Sequence, residues 1–85
     1  MNNFIPDELN EVQIGSLVEV LFQDGEKMEF TLTDSETANP SKGLISYASP
    51  LGRAIRGARV GDTRMYSVEK VNFQVKIIKI GEKKG

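Results

Sequence analysis

The chain has 85 residues, contains neither cysteine nor histidine, and carries a formal net charge of −1. This length supports one domain with a small core, because a chain of this size buries only about 60% of the surface that its unfolded form exposes. Without cysteine the chain has no disulfide and no thiolate nucleophile, and without histidine it lacks the side chain that usually acts as general base near neutral pH. Both absences disfavour enzymatic chemistry.

The small net charge conceals an uneven distribution of charge along the chain. Residues 1–48 hold nine acids and two lysines, whereas residues 49–85 hold nine basic residues and three acids. If the two halves segregate in space, the surface would steer a charged partner over about 8 Å at physiological salt. If strand pairing mixes the halves, the two fields largely cancel. The sequence leaves both arrangements open.

No segment has the length and apolarity of a membrane-crossing helix. Such a helix needs roughly 20 consecutive apolar residues, and no run in this chain approaches that. Residues 1–10 also lack the basic start and apolar stretch of a secretion signal. We therefore expect a soluble cytoplasmic protein that binds no membrane.

The first elements in chain order are a lead-in and two amphipathic strands. Residues 1–14 form the lead-in, where Pro6 and the acids after it favour one helical turn. Apolar and polar residues then alternate over 16–22 and again over 26–33. Alternation with period two predicts two strands that face one core.

The connection between these two strands predicts their register. A two-residue loop at Asp24 and Gly25 would place the two apolar sets on opposite faces of the sheet. A three-residue loop over 23–25, with Gly25 in the left-handed conformation, instead pairs Val20 with Met28 on the same face. We predict the three-residue hairpin.

The rest of the chain reads as a polar surface loop, a short strand, a helix and a second hairpin. The predicted ranges are a loop over 34–43, a strand over 44–48, the helix over 50–56, a strand over 63–68, a tight turn at Glu69 and Lys70, and a strand over 71–80. In the last strand Val71, Phe73, Val75 and Ile77 are expected to form one apolar face. Residues 81–85 are expected to be a flexible tail.

The helix has a strong start signal. Ser49 is suited to cap the free N–H groups of the first turn, and Pro50 suits the first helical position. Apolar residues at spacings of three and four predict a buried helix face, which leaves Arg53 and Arg56 pointing outward. The predicted fold class is α+β: a strongly twisted antiparallel sheet packed on one short helix.

Four arginines around this helix form a candidate basic patch: Arg53, Arg56, Arg59 and Arg64. They contact an acidic partner surface or phosphates, or they form an ordinary solvated face. Binding of single-stranded nucleic acid usually adds stacking aromatics among the cations. Here Tyr47 and Tyr66 are the only tyrosines, and all four phenylalanines are assigned to the core or the lead-in. We expect no sequence-specific nucleic acid binding.

Acidic residues in loops do not predict a metal site. Asp34 and Glu36 lie in the polar loop, and Asp62 follows the helix, but they lack the dense ligand spacing of a calcium loop. Asp62 is better explained as a turn residue after Gly61. We expect neither a bound metal nor a cofactor.

Several short motifs together resemble a known family. They are Gly15-Ser16 with Val18, Glu36 and Ala38, Gly43, Ile45-Ser46, Ser49-Pro50-Leu51, Ala54-Ile55, Gly57 and Val60-Gly61-Asp62. In this order and spacing they resemble the C-terminal domain of the bacterial Gre-type (GreA/GreB) transcript cleavage factors, which is FKBP-like. The similarity covers roughly residues 12–80 and places the domain at 15–80.

This resemblance implies binding to RNA polymerase without transcript cleavage. In the family the C-terminal domain binds at the rim of the secondary channel, on the beta-prime subunit, and a separate N-terminal helical hairpin carries the acidic residues that promote cleavage. The 14 residues before the first strand would extend only about 21 Å even if fully helical, with no returning limb. The expected function is therefore a transcription-related binding module.

The resemblance also implies where the partner binds. The family contacts polymerase at the start of the helix, which corresponds here to Ala48, Ser49 and Pro50. Ala48 departs from the polar or acidic residue usual at its position, and loss of a charged hydrogen bond costs about 1.5 to 3 kcal/mol. We add Arg53 and Arg56, from the outer face of the same helix, as candidate contacts.

Two alternatives remain open at this point. In one, the domain has kept its fold and changed its protein partner; in the other, it is a prolyl isomerase, since FKBP-like domains include such enzymes. Those isomerases line a deep cleft with aromatic side chains and carry a tryptophan at its floor. This chain has no tryptophan and places Leu51 in that neighbourhood, which disfavours the enzyme.

Overall fold

One curled sheet and one short helix make up the described part of the chain, residues 11–82 of a computed structural model. The elements are β1 (Ser16–Phe22), β2 (Lys27–Thr33), β3 (Leu44–Ser46), α1 (Pro50–Ile55), β4 (Thr63–Val68) and β5 (Val71–Glu82), with a 3₁₀ turn at Pro40–Lys42. Across the sheet the order is β3-β2-β1-β5-β4. The predicted α+β class is confirmed. The helical turn predicted after Pro6 lies outside the described residues.

The β1–β2 hairpin has the predicted three-residue loop. Val18 lies opposite Phe30, and Val20 lies opposite Met28. Gly25 adopts a φ of 93°, the left-handed conformation that ends such a loop. The prediction is confirmed, and the reason is that only this register directs the apolar residues of both strands toward one face.

The sheet is mixed, because β3 runs parallel to β2. Residues 31–33 pair with residues 44–46 in the same direction, while the other strand pairs are antiparallel. The loop over 34–43 doubles back along β2 before β3 begins, which reverses the direction expected for a simple hairpin. β3 ends at Ser46, two residues earlier than predicted, because the chain turns there toward α1.

A β-bulge interrupts β5 and changes the phase of its alternation. The register of β1 against β5 shifts between Glu19 and Val20, which leaves Ile78 as the extra residue. The bulge allows Ile77 and Ile80, three positions apart, to face the same core. Simple alternation along the sequence would have placed these two side chains on opposite faces.

β5 is longer than predicted at its C-terminal end. Gly81 pairs with Leu17, and Glu82 pairs with Ser16. The expectation that the flexible tail begins at residue 81 is therefore wrong for these two residues, whose backbone is held by the start of β1. Residues 83–85 lie outside the described part.

Helix α1 closes the curled sheet by packing against its two edge strands, β3 and β4. Ile55 carries the packing, since its side chain is fully buried, while Arg53 and Arg56 are exposed as predicted. The core between the sheet and the helix consists of Val12, Val18, Val20, Phe30, Leu32, Ile45, Ile55, Ala58, Val75, Ile77 and Ile80.

Gly52 sets how closely α1 approaches β3. A Cβ atom at this position would lie 2.1 Å from the carbonyl oxygen of Ser46 and 2.8 Å from the Cα atom of Tyr47. Both atoms belong to backbone, so no side-chain rotation relieves the overlap. Only glycine therefore allows the helix to lie against this strand at the observed distance.

The end of the β4–β5 hairpin departs from the predicted core. Residues 71–74 of β5 pair only with β4, because β1 pairs no further than Val75. Phe73 and Met28 are each 37% exposed, and Val71 is 54% exposed. The expectation that these apolar side chains all belong to the core is wrong, because no third strand or helix between residues 11 and 82 covers this end of the sheet.

We predict that Gly52→Ala lowers the free energy of unfolding by about 1 to 3 kcal/mol, the usual cost of forcing extra volume into a packed site. Glycine to alanine inside a helix otherwise stabilises by up to about 1 kcal/mol, so the sign is diagnostic. Chemical denaturation measures it. Gly81→Ala is the matched control, because nothing lies within 4 Å of its Cβ. Equal stability of the two variants would contradict the close approach of α1.

We predict that Glu29→Lys raises the stability by about 0.2 to 1 kcal/mol. Glu29 lies directly opposite Glu19 in the β1–β2 ladder, and Glu19 in turn lies opposite Lys79 of β5. The substitution replaces a like-charge pair by an opposite-charge pair, so the gain should shrink at 1 M salt. Glu36→Lys, the same charge change in an exposed loop, should leave the stability within about 0.5 kcal/mol.

Candidate protein-binding surface

The hydroxyl group of Ser49 caps the start of α1. This hydroxyl donates to the carbonyl oxygen of Ser46 at 2.7 Å and accepts from the Gly52 N–H at 3.0 Å. Pro50 follows at the first helical position and is exposed. The predicted cap is confirmed, and a cap of this kind contributes about 1 kcal/mol to helix stability.

The segment before the cap is tied to the loop over 34–43 through the side chain of Ser46. The Ala48 N–H donates to the Ser46 hydroxyl at 3.0 Å, and the Ser35 and Ser46 hydroxyls lie 3.0 Å apart. These polar groups are therefore already hydrogen-bonded within the chain. Ala48 presents only its methyl group and its carbonyl to a partner.

The four arginines of the candidate basic patch separate into two pairs. Arg59 forms an ion pair with Glu11 at 3.2 Å, and Arg64 forms one with Asp62 at 3.6 Å. Asp62 also accepts the Arg59 N–H at 3.0 Å, which supports its predicted turn role.

The other two arginines form no ion pair with any residue between 11 and 82. The Arg56 guanidinium lies 5.3 Å from the centre of the Tyr47 ring, a cation–π contact. Arg53 lies one helical turn after Pro50 and is exposed. Arg53 and Arg56 are therefore the cations of the patch that remain available to an external partner.

An open apolar groove of about 730 Å³ lies where the two hairpins end. Phe22 and Met28 line it from the first hairpin, and Tyr66 and Phe73 line it from the second. The Tyr66 and Phe73 rings stack with their centres 5.1 Å apart. Burial raises the pKa of Tyr66. Aromatic residues and methionine are enriched at protein interfaces, which makes this groove a candidate binding surface.

A second, shallow depression shares Tyr66 with the groove. Its lining residues are Pro50, Arg53, Ala54, Met65, Tyr66 and Ser67. The structure thus brings Pro50 and Arg53 next to the groove. Ala48 and Ser49 precede them on the chain, and Arg56 lies on the side of Tyr47.

The sequence interpretation missed the groove because it assigned Phe22, Met28 and Phe73 to the core and considered Tyr66 only as a stacking aromatic for nucleic acid. One signal was available. The last predicted strand has a longer run of alternating apolar residues than the first strand. The first strand is therefore too short to lie beside all of it. The observed lengths are 12 residues for β5 and 7 for β1, and the unmatched end of β5 lines the groove.

A metal site and a membrane-crossing helix are both absent from the described residues. Between residues 11 and 82, no three histidine, cysteine, aspartate or glutamate side chains cluster closely enough to hold a metal ion. No helix in the same range has the length and apolarity needed to cross a membrane.

Comparison with known proteins identifies the family and the fold. The family model described as "Transcription elongation factor, GreA/GreB, C-term" matches residues 6–82. The transcription elongation factor GreA of Nautilia profundicola is 37% identical over 75 residues, covering 76% of this chain and 46% of that protein. GreA of Chloroflexus aggregans is 49% identical over 51 residues, covering 59% of this chain and 32% of that protein.

A solved structure has the same fold. The crystal structure of GreA factor homolog 1 (Gfh1) of Thermus thermophilus superposes with a TM-score of 0.73 at 29% identity, covering 85% of this chain and 49% of that one. The chain spans about half the length of the curated relatives named above, or less. The family match over residues 6–82 and the shared fold show that this chain belongs to the GreA/GreB C-terminal domain family of transcription elongation factors.

Proposed function

We propose that the chain docks on bacterial RNA polymerase, on the beta-prime subunit at the rim of the secondary channel, without stimulating RNA cleavage. The observation that supports the proposal is the apolar groove beside the start of α1. The resemblance associates the start of this helix, and not the groove itself, with polymerase contact. The groove and the depression around Pro50 and Arg53 share Tyr66. We term the groove and the depression together the docking surface.

The aromatic side chains are the expected anchors of this contact. Phe73 and Tyr66 are already stacked, so little side-chain freedom is lost when a partner covers them. A few desolvated aromatic and arginine side chains usually carry most of the energy of an interface. Phe73 is 37% exposed in the free chain and offers the most direct test.

Ser49 contributes to the docking surface mainly through its geometry. A serine hydroxyl has one donor and two acceptor positions. The cap uses the donor on Ser46 and one acceptor on Gly52, which leaves a single acceptor for a partner. The Pro50 ring and the Arg53 guanidinium are therefore the main contacts that this end of α1 offers, with the Ala48 methyl group beside them.

Occupancy of the channel rim would act by exclusion. A protein bound at this place competes with other factors that enter the secondary channel, without supplying carboxylates to the polymerase active site. Residues 11–82 fold as a sheet with one six-residue α-helix and include no helical hairpin, which supports docking as their role.

We predict that Phe73→Gln weakens binding of the full chain to core RNA polymerase at least tenfold, equivalent to about 1.4 kcal/mol. Titration monitored by fluorescence anisotropy measures the affinity, and thermal unfolding checks that the variant is folded. Ile14→Gln is the matched control, because Ile14 is 54% exposed before β1, at the opposite end of that strand from Phe22. Failure of the parent chain to bind polymerase at micromolar concentration would contradict the proposal.

We predict that saturating amounts of the chain leave the rate of RNA cleavage in backtracked polymerase complexes unchanged. The same chain should slow cleavage when a full-length Gre factor is added, because both would occupy the channel rim. Gel analysis of labelled transcripts measures both rates, with Phe73→Gln as the control that should not compete. Faster cleavage with the chain alone would show that it does more than dock.

A further inference from the structure

The two edges of the sheet differ in how their backbone groups are bonded. At the β3 edge, Leu44 exchanges two backbone hydrogen bonds with Asn39, at 2.8 Å and 3.1 Å, and the Ser46 carbonyl accepts the Ser49 N–H at 3.1 Å. β4 is the strand at the opposite edge. An edge strand presents a row of unpaired N–H and carbonyl groups unless another segment covers it. The β3 edge is covered in this way by neighbouring segments of the chain.

The phase of the β4–β5 hairpin shows which backbone groups of β4 point away from the sheet. The two-residue turn over 69–70 has φ values of 50° and 70°, so Val68 exchanges hydrogen bonds with Val71 across the hairpin. Every second residue of an antiparallel strand bonds to the same neighbour. The Ile77 N–H donates to the Asp62 carbonyl at 2.9 Å, in the same phase. The outward N–H and carbonyl groups therefore belong to Thr63, Met65 and Ser67.

These outward groups are unbonded and accessible. No residue between 11 and 82 forms a hydrogen bond with them. All three residues are exposed, and Met65 is 66% exposed. The depression beside α1 is lined by the consecutive residues 65–67. Because consecutive side chains point to opposite faces of a sheet, a depression that all of them line runs along the strand edge. It leaves about 400 Å³ of open space beside β4.

β4 also lacks the features that usually keep edge strands apart. Such features are lysine or proline in the strand, a bulge that twists the edge away, or a very short strand. β4 contains neither lysine nor proline, and its six residues pair with β5 in one continuous register. Its one charged residue is Arg64, which forms an ion pair with Asp62 at 3.6 Å. Charge repulsion therefore does not oppose the approach of a second β4 strand.

We infer that a second copy of this chain adds its own β4 to this edge, antiparallel and about a two-fold axis. The two five-stranded sheets would then become one continuous sheet. Each copy supplies the row of donors and acceptors that the other leaves unpaired, as a two-fold interface requires. The added strand would lie in the depression beside Pro50 and Arg53. This inference is independent of the proposed function, because the partner is the chain itself.

The outward groups and the side chains together favour one register. An axis at Met65 places Met65 opposite Met65 of the second copy, and Thr63 opposite Ser67 of the second copy. Each of these pairs exchanges two bonds, so the two strands gain about six backbone hydrogen bonds. The same axis places Arg64 opposite Tyr66 of the second copy, where the guanidinium can contact the aromatic ring.

The neighbouring registers are less favourable. An axis at Arg64 places two arginines directly opposite each other, which is destabilising. An axis at Tyr66 places Thr63 opposite Glu69, which belongs to the turn and not to the strand. Axes nearer either end of β4 leave more of the strand without a partner. The register centred on Met65 is therefore the one that uses all the outward groups of β4.

The test uses charge at position 65 in the full chain. In this register Met65→Lys or Met65→Glu places two like charges opposite each other at the axis. Sedimentation equilibrium at up to about 1 mM protein is expected to show a dimer of the parent chain and at least fivefold weaker dimerisation of each variant. An equimolar mixture of the two variants should regain the parent affinity, because lysine then lies opposite glutamate.

Gln74→Lys is the matched control. Gln74 lies beside Met65 on β5 and is exposed, but it is one strand away from the edge. Its dimerisation constant should stay within twofold of the parent value. Thermal unfolding of the dilute proteins checks that all variants are folded. Hydrogen exchange measured by NMR adds a test without substitution: the Met65 N–H should exchange more slowly in concentrated than in dilute protein.

The outcomes do not depend on polymerase. A parent chain that stays monomeric at about 1 mM overturns the inference, whether or not it binds polymerase. A dimer that both single variants retain shows that the copies meet through another surface and overturns it as well. A mixture that fails to regain the parent affinity overturns the axis at Met65. Equal exchange of the Met65 N–H in dilute and concentrated protein contradicts strand addition at this edge.

Discussion

The close contact of Gly52 with the backbone of Ser46 and Tyr47 determines where α1 lies, and most of the molecule depends on that position. The helix contacts both edge strands, and any side chain at position 52 would push it away from the end of β3. The Ser49 cap fixes the helix start at the same place, through a bond back to Ser46. A six-residue helix is too short to be stable by itself, so this contact and the burial of Ile55 have to hold it.

The groove is a consequence of unequal strand lengths. β5 continues past the last residue of β1 that pairs with it, and α1 covers only the other part of the inner face. Met28 and Phe73 are each 37% exposed, and no strand or helix between residues 11 and 82 covers them. Apolar patches of this kind mark interaction sites in many proteins, which supports the proposed docking role of the groove.

Charge and shape then act on the same surface. Asp24 and Glu26 line the groove, and Arg53 lines the depression that shares Tyr66 with it. Apolar contact supplies most of the affinity of an interface, whereas charge pairs at its rim mainly set orientation and association rate. An apolar residue at position 48 fits this difference between apolar and charged contacts, because under the proposed function it leaves recognition to the groove and to Arg53.

The sequence by itself determined the local elements, because each of them rests on interactions between near neighbours. Period-two alternation located the strands, the Ser49-Pro50 pair located the helix start, and the phase of the apolar residues determined the three-residue hairpin loop. The motifs around Ser49 to Asp62 were also sufficient to indicate the family. Tertiary structure decided the parallel direction of β3, the bulge at Ile78, the requirement for glycine at position 52 and the exposure of Phe73. Each of these depends on which distant segment lies opposite a residue, and periodicity along a chain shows that a side chain is apolar without showing whether anything covers it.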